Sequence, residues 1–176
     1  MKILGIDPGY ERLGVAVIEK NTGKTGGQKN RETVIYSDCF RTSAKDSMHK
    51  RLGELGAEIS RLLEDFAPDA LAIETLFIST NQKTGMRVAE ARGIIMYEAI
   101  KRGIPVYEYS PMQIKTAITS DGSSDKQRMI KMIGLLVEMP TAKQVSNHTT
   151  NSAKPKILDD EYDAIAVALT HSAIYR

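Results

Sequence analysis

Apolar and polar positions change their period several times along the chain, and each change marks an element. Ile3-Leu4-Gly5-Ile6 is a short apolar run that ends on Asp7, turns through Pro8-Gly9, and resumes at Gly14-Val15-Ala16-Val17-Ile18. Two such runs about a Pro-Gly turn predict two antiparallel strands. Positions 21–31 are rich in Gly, Lys, Asn and Thr without apolar periodicity, and predict an exposed turn or loop. Thr33 to Phe40, with Val34, Ile35 and Tyr36, returns to strand character. From Ser47 to Phe66, Leu52, Leu55, Ile59, Leu62, Leu63 and Phe66 fall at helical spacing, with charges on the remaining face. Pro68 closes that helix, and Asp69-Ala70-Leu71-Ala72-Ile73-Glu74 predicts a short buried strand that again ends on a carboxylate.

A polar stretch then leads into a long helix over Thr84–Arg102, closed by Gly103. It carries two apolar stripes: Met86, Ala89, Gly93, Met96 and Ile100 on one side, Val88, Ala91, Ile95 and Ala99 on another. A single broad core-facing surface would account for both. The alternative, slightly favoured by the pattern, gives one stripe to the sheet and the second to a partner subunit. Ile104 to Tyr109 predicts a strand, and Ser110-Pro111 opens a helix in cap-then-proline order. Ser124 or Asp125 caps the next helix, which carries Met129, Ile130, Ile133, Leu136 and Val137 and ends at Pro140. Positions 141–156 are polar and predict a mobile connection, and Leu158 to Ile174 is an alanine-rich helix able to pack closely on a sheet. The order predicts an α/β fold in one domain over residues 1–176: a mixed five-stranded sheet, three antiparallel strands and then parallel ones, with helices on both faces.

Composition narrows the function classes without choosing one. A chain of 176 residues with 41% hydrophobic and 26% charged residues is ordinary for a globular domain with a proper core. Net charge of +2 permits nucleic-acid binding without demanding it. A single cysteine, Cys39, excludes an intramolecular disulfide and a cysteine-based metal site. Ile3 to Ile6 is too short for a signal peptide, and the longest apolar run, Ala164 to Leu169, is far below membrane-spanning length. The expectation is a cytoplasmic protein with no membrane contact.

The chemistry is carried by acids. Asp7 and Glu74 each end an apolar strand, where open α/β sheets place their sites. If the two strands lie side by side and parallel, these carboxylates converge. Asp160 and Asp163 share one face of the last helix, whereas Asp159 and Glu161 point elsewhere. Acids in a first helical turn are favoured by the helix dipole, which explains Asp159, Asp160 and Glu161. It explains Asp163 poorly, because that residue leads an Ala-Ile-Ala-Val-Ala-Leu run and needs a partner. Four carboxylates about one point would repel one another unless a divalent ion screened them. Oxygen ligands without cysteine favour Mg²⁺ or Mn²⁺, and two such ions can drive phosphodiester cleavage.

Four stretches together resemble the RuvC Holliday-junction resolvase family, whose fold is RNase H-like. They are Ile3 to Gly9; Ala72 to Phe77 on through Asn81 to Ala91-Arg92-Gly93; Tyr109 to Lys115 onward to Asp125-Lys126; and Asp160 to His171. They stand in the family's order and span nearly the whole chain. The resemblance implies a metal-dependent endonuclease that resolves four-way DNA junctions by paired nicks in recombination and repair. It implies Asp7, Glu74, Asp160 and Asp163 as catalytic and metal-binding acids, holding Mg²⁺ or Mn²⁺ with two ions per site. Lys115 and Lys126 are implied as DNA-binding residues near the cut strand, and Phe77 as an aromatic that stacks on a base. A homodimer and a branch-migration helicase are the implied protein partners. Ser120 and Ser123 replace the family's usual glycine and arginine in the loop before Lys126, and Asp159 beside Asp160 leaves the third acid open. The rivals are an actin-like or sugar-kinase-like ATPase, for which the chain is short, a junction-binding protein without catalysis, and a nuclease for another branched nucleic acid.

Overall fold

The computed structural model describes residues 1–20, 32–76, 82–139 and 158–175. The predicted loops at 21–31 and 141–156, and Phe77, lie outside them. The opening hairpin forms as its alternation dictates: β1 (Lys2–Asp7) and β2 (Arg12–Glu19) pair antiparallel from Lys2/Glu19 to Asp7/Gly14. β3 (Glu32–Arg41) extends the antiparallel set beyond β2. β4 (Ala70–Glu74) joins the other edge of β1 in parallel, and β5 (Val106–Tyr109) pairs parallel with β4.

The sequence predicts five strands, and among the described residues the sheet has six, in the order β5-β4-β1-β2-β3-β6. The sixth, β6 (Val137–Glu138), pairs parallel with Glu32 and Thr33 of β3. The periodicity assigns Val137 to the preceding helix, but α4 (Lys126–Leu136) stops one residue earlier and Val137 turns extended at φ −115°, ψ 155°. There it is buried beside the sheet. A β-branched side chain gains more from that edge than from another step of exposed helix.

Side chains alternate across the sheet and send successive residues to two cores. Leu4, Ile6, Val15, Val17, Leu71 and Ile73 pack under α1 (Met48–Phe66) and α2 (Gln82–Lys101). Ile3, Ala16, Ile18 and Ala72 pack under α3 (Pro111–Thr119), α4 and α5 (Asp159–Ile174). The helix starts are those the sequence marks: Ser47, Ser110 and Asp125 each accept a main-chain N–H in the first turn of α1, α3 and α4. In α2 the two stripes separate. Ala91, Ile95 and Ala99 are buried on the sheet, whereas Met86, Tyr97 and Ile100 are 60–63% exposed.

α5 lies unusually close to β1 and β2. A Cβ on Gly5 would collide with the Ala164 carbonyl and stand 2.7 Å from the Ala168 Cβ. One on Gly14 would strike the Asp160 carbonyl. Glycine facing alanine therefore sets the helix-to-sheet distance. Gly5→Ala should displace α5 and destabilise the fold by ~1–3 kcal/mol. Gly53→Ala, at a helical glycine with open space around it, should instead be stabilising by ~0.5–1 kcal/mol. Urea melts of both variants check this, and an unchanged midpoint for Gly5→Ala would contradict the contact.

Candidate active site

Strand register brings the first two acids together. β1 and β4 run parallel and in register from Ile3/Ala70 to Ile6/Ile73, so Asp7 and Glu74 follow as neighbours at their carboxyl ends. By alternation both side chains emerge on the face that carries α5. The first turn of α5 lies over the same edge. Its Glu161 side chain folds back, accepting the Leu158 N–H at 2.9 Å and the Ser37 hydroxyl at 2.8 Å. That leaves Asp160 and Asp163 facing the strand ends, while Asp159 is largely exposed.

The electrostatics show how near the four acids are. Burial pushes the Asp7 carboxyl from 3.8 up to about 7, and the negative charges of Asp163, Glu74 and Asp160 add to that push. Glu74 is raised by burial and then by Asp163, with the Arg92 charge opposing. Asp163 is raised by burial too, although Lys126 holds it down. The Lys126 ammonium lies 3.1 Å from Asp163 Oδ2 and 3.5 Å from Asp159 Oδ2. Arg12, at the start of β2, forms an ion pair with Asp160, and the Cys39 sulfur is 3.5 Å from the same carboxylate oxygen. Asp160 rather than Asp159 thus faces the cluster.

Among the described residues, no three Asp, Glu, His or Cys side chains close on a single point that could hold one ion. Asp160 and Asp163 turn instead to Arg12 and Lys126. The donor set still fits a hard divalent cation. It is made only of carboxylates, and three of them carry raised values that a nearby dication would relieve.

The other residues singled out from sequence are placed unevenly. Lys126 sits on the acids. Lys115, in α3, is half-buried and acts on Asp121. That carboxyl is held below its ordinary value chiefly by Ser123, with Arg128 and Lys115 adding. Two charged neighbours of the site were given no role from the sequence. Arg12 left no local trace, because its partner is 148 residues away. Arg92 did leave one, since it falls in line with Val88, Ile95 and Ala99 on the sheet-facing side of α2.

The family model of the crossover junction endodeoxyribonuclease RuvC matches residues 3–171 of this chain. A relative of that description from Thermosipho melanesiensis is 40% identical over 168 residues, covering 96% of this chain and 94% of its own. One from Moorella thermoacetica is 35% identical, covering 98% and 92%. The solved Thermus thermophilus RuvC in complex with Holliday junction substrate matches with a TM-score of 0.79 at 27% identity, over 99% of this chain and 94% of that one. The yeast mitochondrial Holliday junction resolvase, at 16% identity and a TM-score of 0.66, shares the fold.

A buried, crowded carboxylate makes the fold depend on pH. Unfolded, Asp7 loses its proton near 3.8; folded, it keeps it to about 7. Between these values the folded state binds the extra proton, so stability falls as pH rises and levels off above the upper one. Each pH unit of that gap is worth ~1.4 kcal/mol. In chelator, Asp7→Asn should therefore melt above the unsubstituted protein at pH 8, with the difference shrinking towards pH 4. Thermal melts at the two pH values check it, and a lower melting temperature for Asp7→Asn at pH 8 would refute the repulsion.

Proposed function

The chain belongs to the RuvC family of crossover junction endodeoxyribonucleases, and we propose that its carboxylate edge of Asp7, Glu74, Asp160 and Asp163 is where the phosphodiester is cut. The activity is that of a nuclease acting on four-way DNA junctions in recombination and repair. The observation that carries the site is the mutual crowding of these acids at the carboxyl ends of β1 and β4, with Asp7 feeling all three others. The four would hold Mg²⁺ or Mn²⁺, two ions to a site. Bound there, such ions lower the pKa of water and stabilise the departing oxygen.

The chain's own residues set up the rest. Asp7 ends a central strand of the sheet, where it feels the charges of the other three acids. Lys126, half-exposed beside Asp163, is placed to donate to a phosphate oxygen of the cut strand in exchange for the Asp163 carboxylate. Arg12 stands in the same relation to Asp160. Both cations would neutralise acids in the free protein and phosphate in the complex. Lys115 in α3 would contact phosphate near the cut strand, and Phe77 would stack on an unpaired base.

Resolution requires one nick on each of two strands, so two sites related by a two-fold axis match the junction. The exposed face of α2 is the surface for a second copy. Met86, Tyr97 and Ile100 stand out into solvent, and Gly93 between them leaves open space for close approach. A branch-migration helicase would be a further partner.

Binding and chemistry separate in a variant series read by gel shift and by single-turnover cleavage. Asp7→Asn should bind the junction as tightly or more tightly, because phosphate contact rests on basic residues. Its cleavage should fall by at least ~100-fold, more than an outer-shell change costs a metal site. Lys126→Ala should weaken binding and slow cleavage together. Near-normal cleavage by Asp7→Asn would remove the carboxylate edge from the mechanism. For the dimer, Ile100→Glu should sediment as a monomer, and a monomeric unsubstituted protein at micromolar concentration would exclude α2 as the interface.

A further inference from the structure

Arg92 is a charge set into an apolar stripe. It lies on the sheet-facing side of α2, and its side chain is only 10% exposed. Burying a guanidinium is costly unless its donors are met, so its partners are informative. One donor group meets the main-chain carbonyl of Glu74, and another pairs with the carboxylate of Glu108. Both acceptors belong to the carboxyl ends of neighbouring parallel strands, where Ile73 pairs with Glu108 and Glu74 with Tyr109.

The Glu74 carbonyl lies where the sheet ladder runs out. The β1–β4 register reaches Ile6 and Ile73, and Pro8 beyond it has no N–H to extend the pairing. On the β5 side, the Ser110 N–H is turned to Gln113 Oε1 at 2.8 Å in the capping box of α3. The peptide joining Glu74 to Thr75 is nevertheless held at both ends. Its N–H donates to the Tyr109 carbonyl at 2.9 Å, and its C=O accepts from Arg92. Among the described residues, no hydrogen bond holds the Glu74 carboxylate itself, so that group is aimed by its backbone. The bracing comes from the opposite face of the sheet, since α2 packs with Leu71 and Ile73, and α5 with Ala72. The Arg92 charge also opposes the rise of the Glu74 carboxyl, which burial and Asp163 cause.

We propose that Arg92 is a positioning residue for DNA cleavage: from beneath the sheet it pins the 74–75 peptide through the Glu74 carbonyl and so fixes where the Glu74 carboxylate stands. This rests on the assignment of Glu74 to the active site.

The test uses the full chain with Arg92→Met, Arg92→Lys and Glu74→Gln. Three quantities are read: junction affinity in chelator, single-turnover cleavage rate, and the Mn²⁺ concentration for half-maximal rate. The rise in melting temperature on adding Mn²⁺ gives a readout free of turnover. Arg92→Met has comparable length and no donors. It should keep junction affinity within ~3-fold while its rate falls ~10–100-fold, the range for losing a group that orients a metal ligand. Its Mn²⁺ half-saturation should rise and its Mn²⁺-induced melting shift should shrink. Arg92→Lys, which can reach one acceptor but not both as a fork, should recover part of each loss. A normal rate and half-saturation for Arg92→Met, or a rate loss matched by an equal loss of junction affinity, would overturn the proposal. Should Arg92→Met fail to fold, Arg92→Lys decides: slowed cleavage with intact junction affinity supports it, and unchanged rate and half-saturation overturn it. Normal cleavage by Glu74→Gln would sink the active-site assignment itself. An inactive Glu74→Gln beside a fully active Arg92→Met would sink Arg92 alone.

Discussion

The contact between α5 and the first two strands is the constraint on which the site depends. Asp160 and Asp163 are supplied by a helix, and Asp7 by a strand beneath it. Their carboxylates meet only if helix and sheet come closer than ordinary side chains permit. Gly5 opposite Ala164 and Ala168, and Gly14 opposite the Asp160 carbonyl, make that approach possible. The small residues of α5 therefore do more than fill a core. They set the distance between two acids on the helix and two at the strand ends, and a methyl group added on the sheet side would alter it.

Bringing like charges together works against the fold, and the surroundings show how the protein tolerates it. Arg12 faces Asp160 and Lys126 faces Asp163, while Asp7, which makes no ion pair among the described residues, is the acid whose proton is held to about 7 even with the Lys126 charge opposing. The cost of a charge on Asp7 comes first from burial and then from the three neighbouring acids, at the end of a central strand. Strain of this kind is typical of functional sites, and its removal exchanges activity for stability. The same two cations that offset the acids are each about half exposed.

Much of this was legible in the chain because it is local. An apolar run that stops on a carboxylate marks both a strand and its end, which located Asp7 and Glu74. Asp163 stood out because it leads a buried alanine-rich run. Helix starts were legible from Ser47, Ser110 and the Ser124-Asp125 pair. What could not be read is tertiary. β6 is two residues that leave a helix because β3 is there to receive them. The ion pair of Arg12 with Asp160 spans most of the sequence. Lys115 and Lys126 were implied alike as residues near the cut strand, and only the packing of α4 against α5 puts Lys126 on Asp163. Arg92 was legible and passed over: a lone charge in line with Val88, Ile95 and Ala99 asks what it is paired with.

That residue also changes how α2 is understood. Its outer face, with Met86, Tyr97 and Ile100, suits a partner copy, and its inner face holds the last peptide of β4. One helix thus lies between the proposed subunit interface and the sheet whose far face carries the proposed metal site. A helix cannot shift its outer side without moving its inner side. Were two copies to meet on that outer face, a shift of the helix would be carried to the Glu74 carbonyl through Arg92.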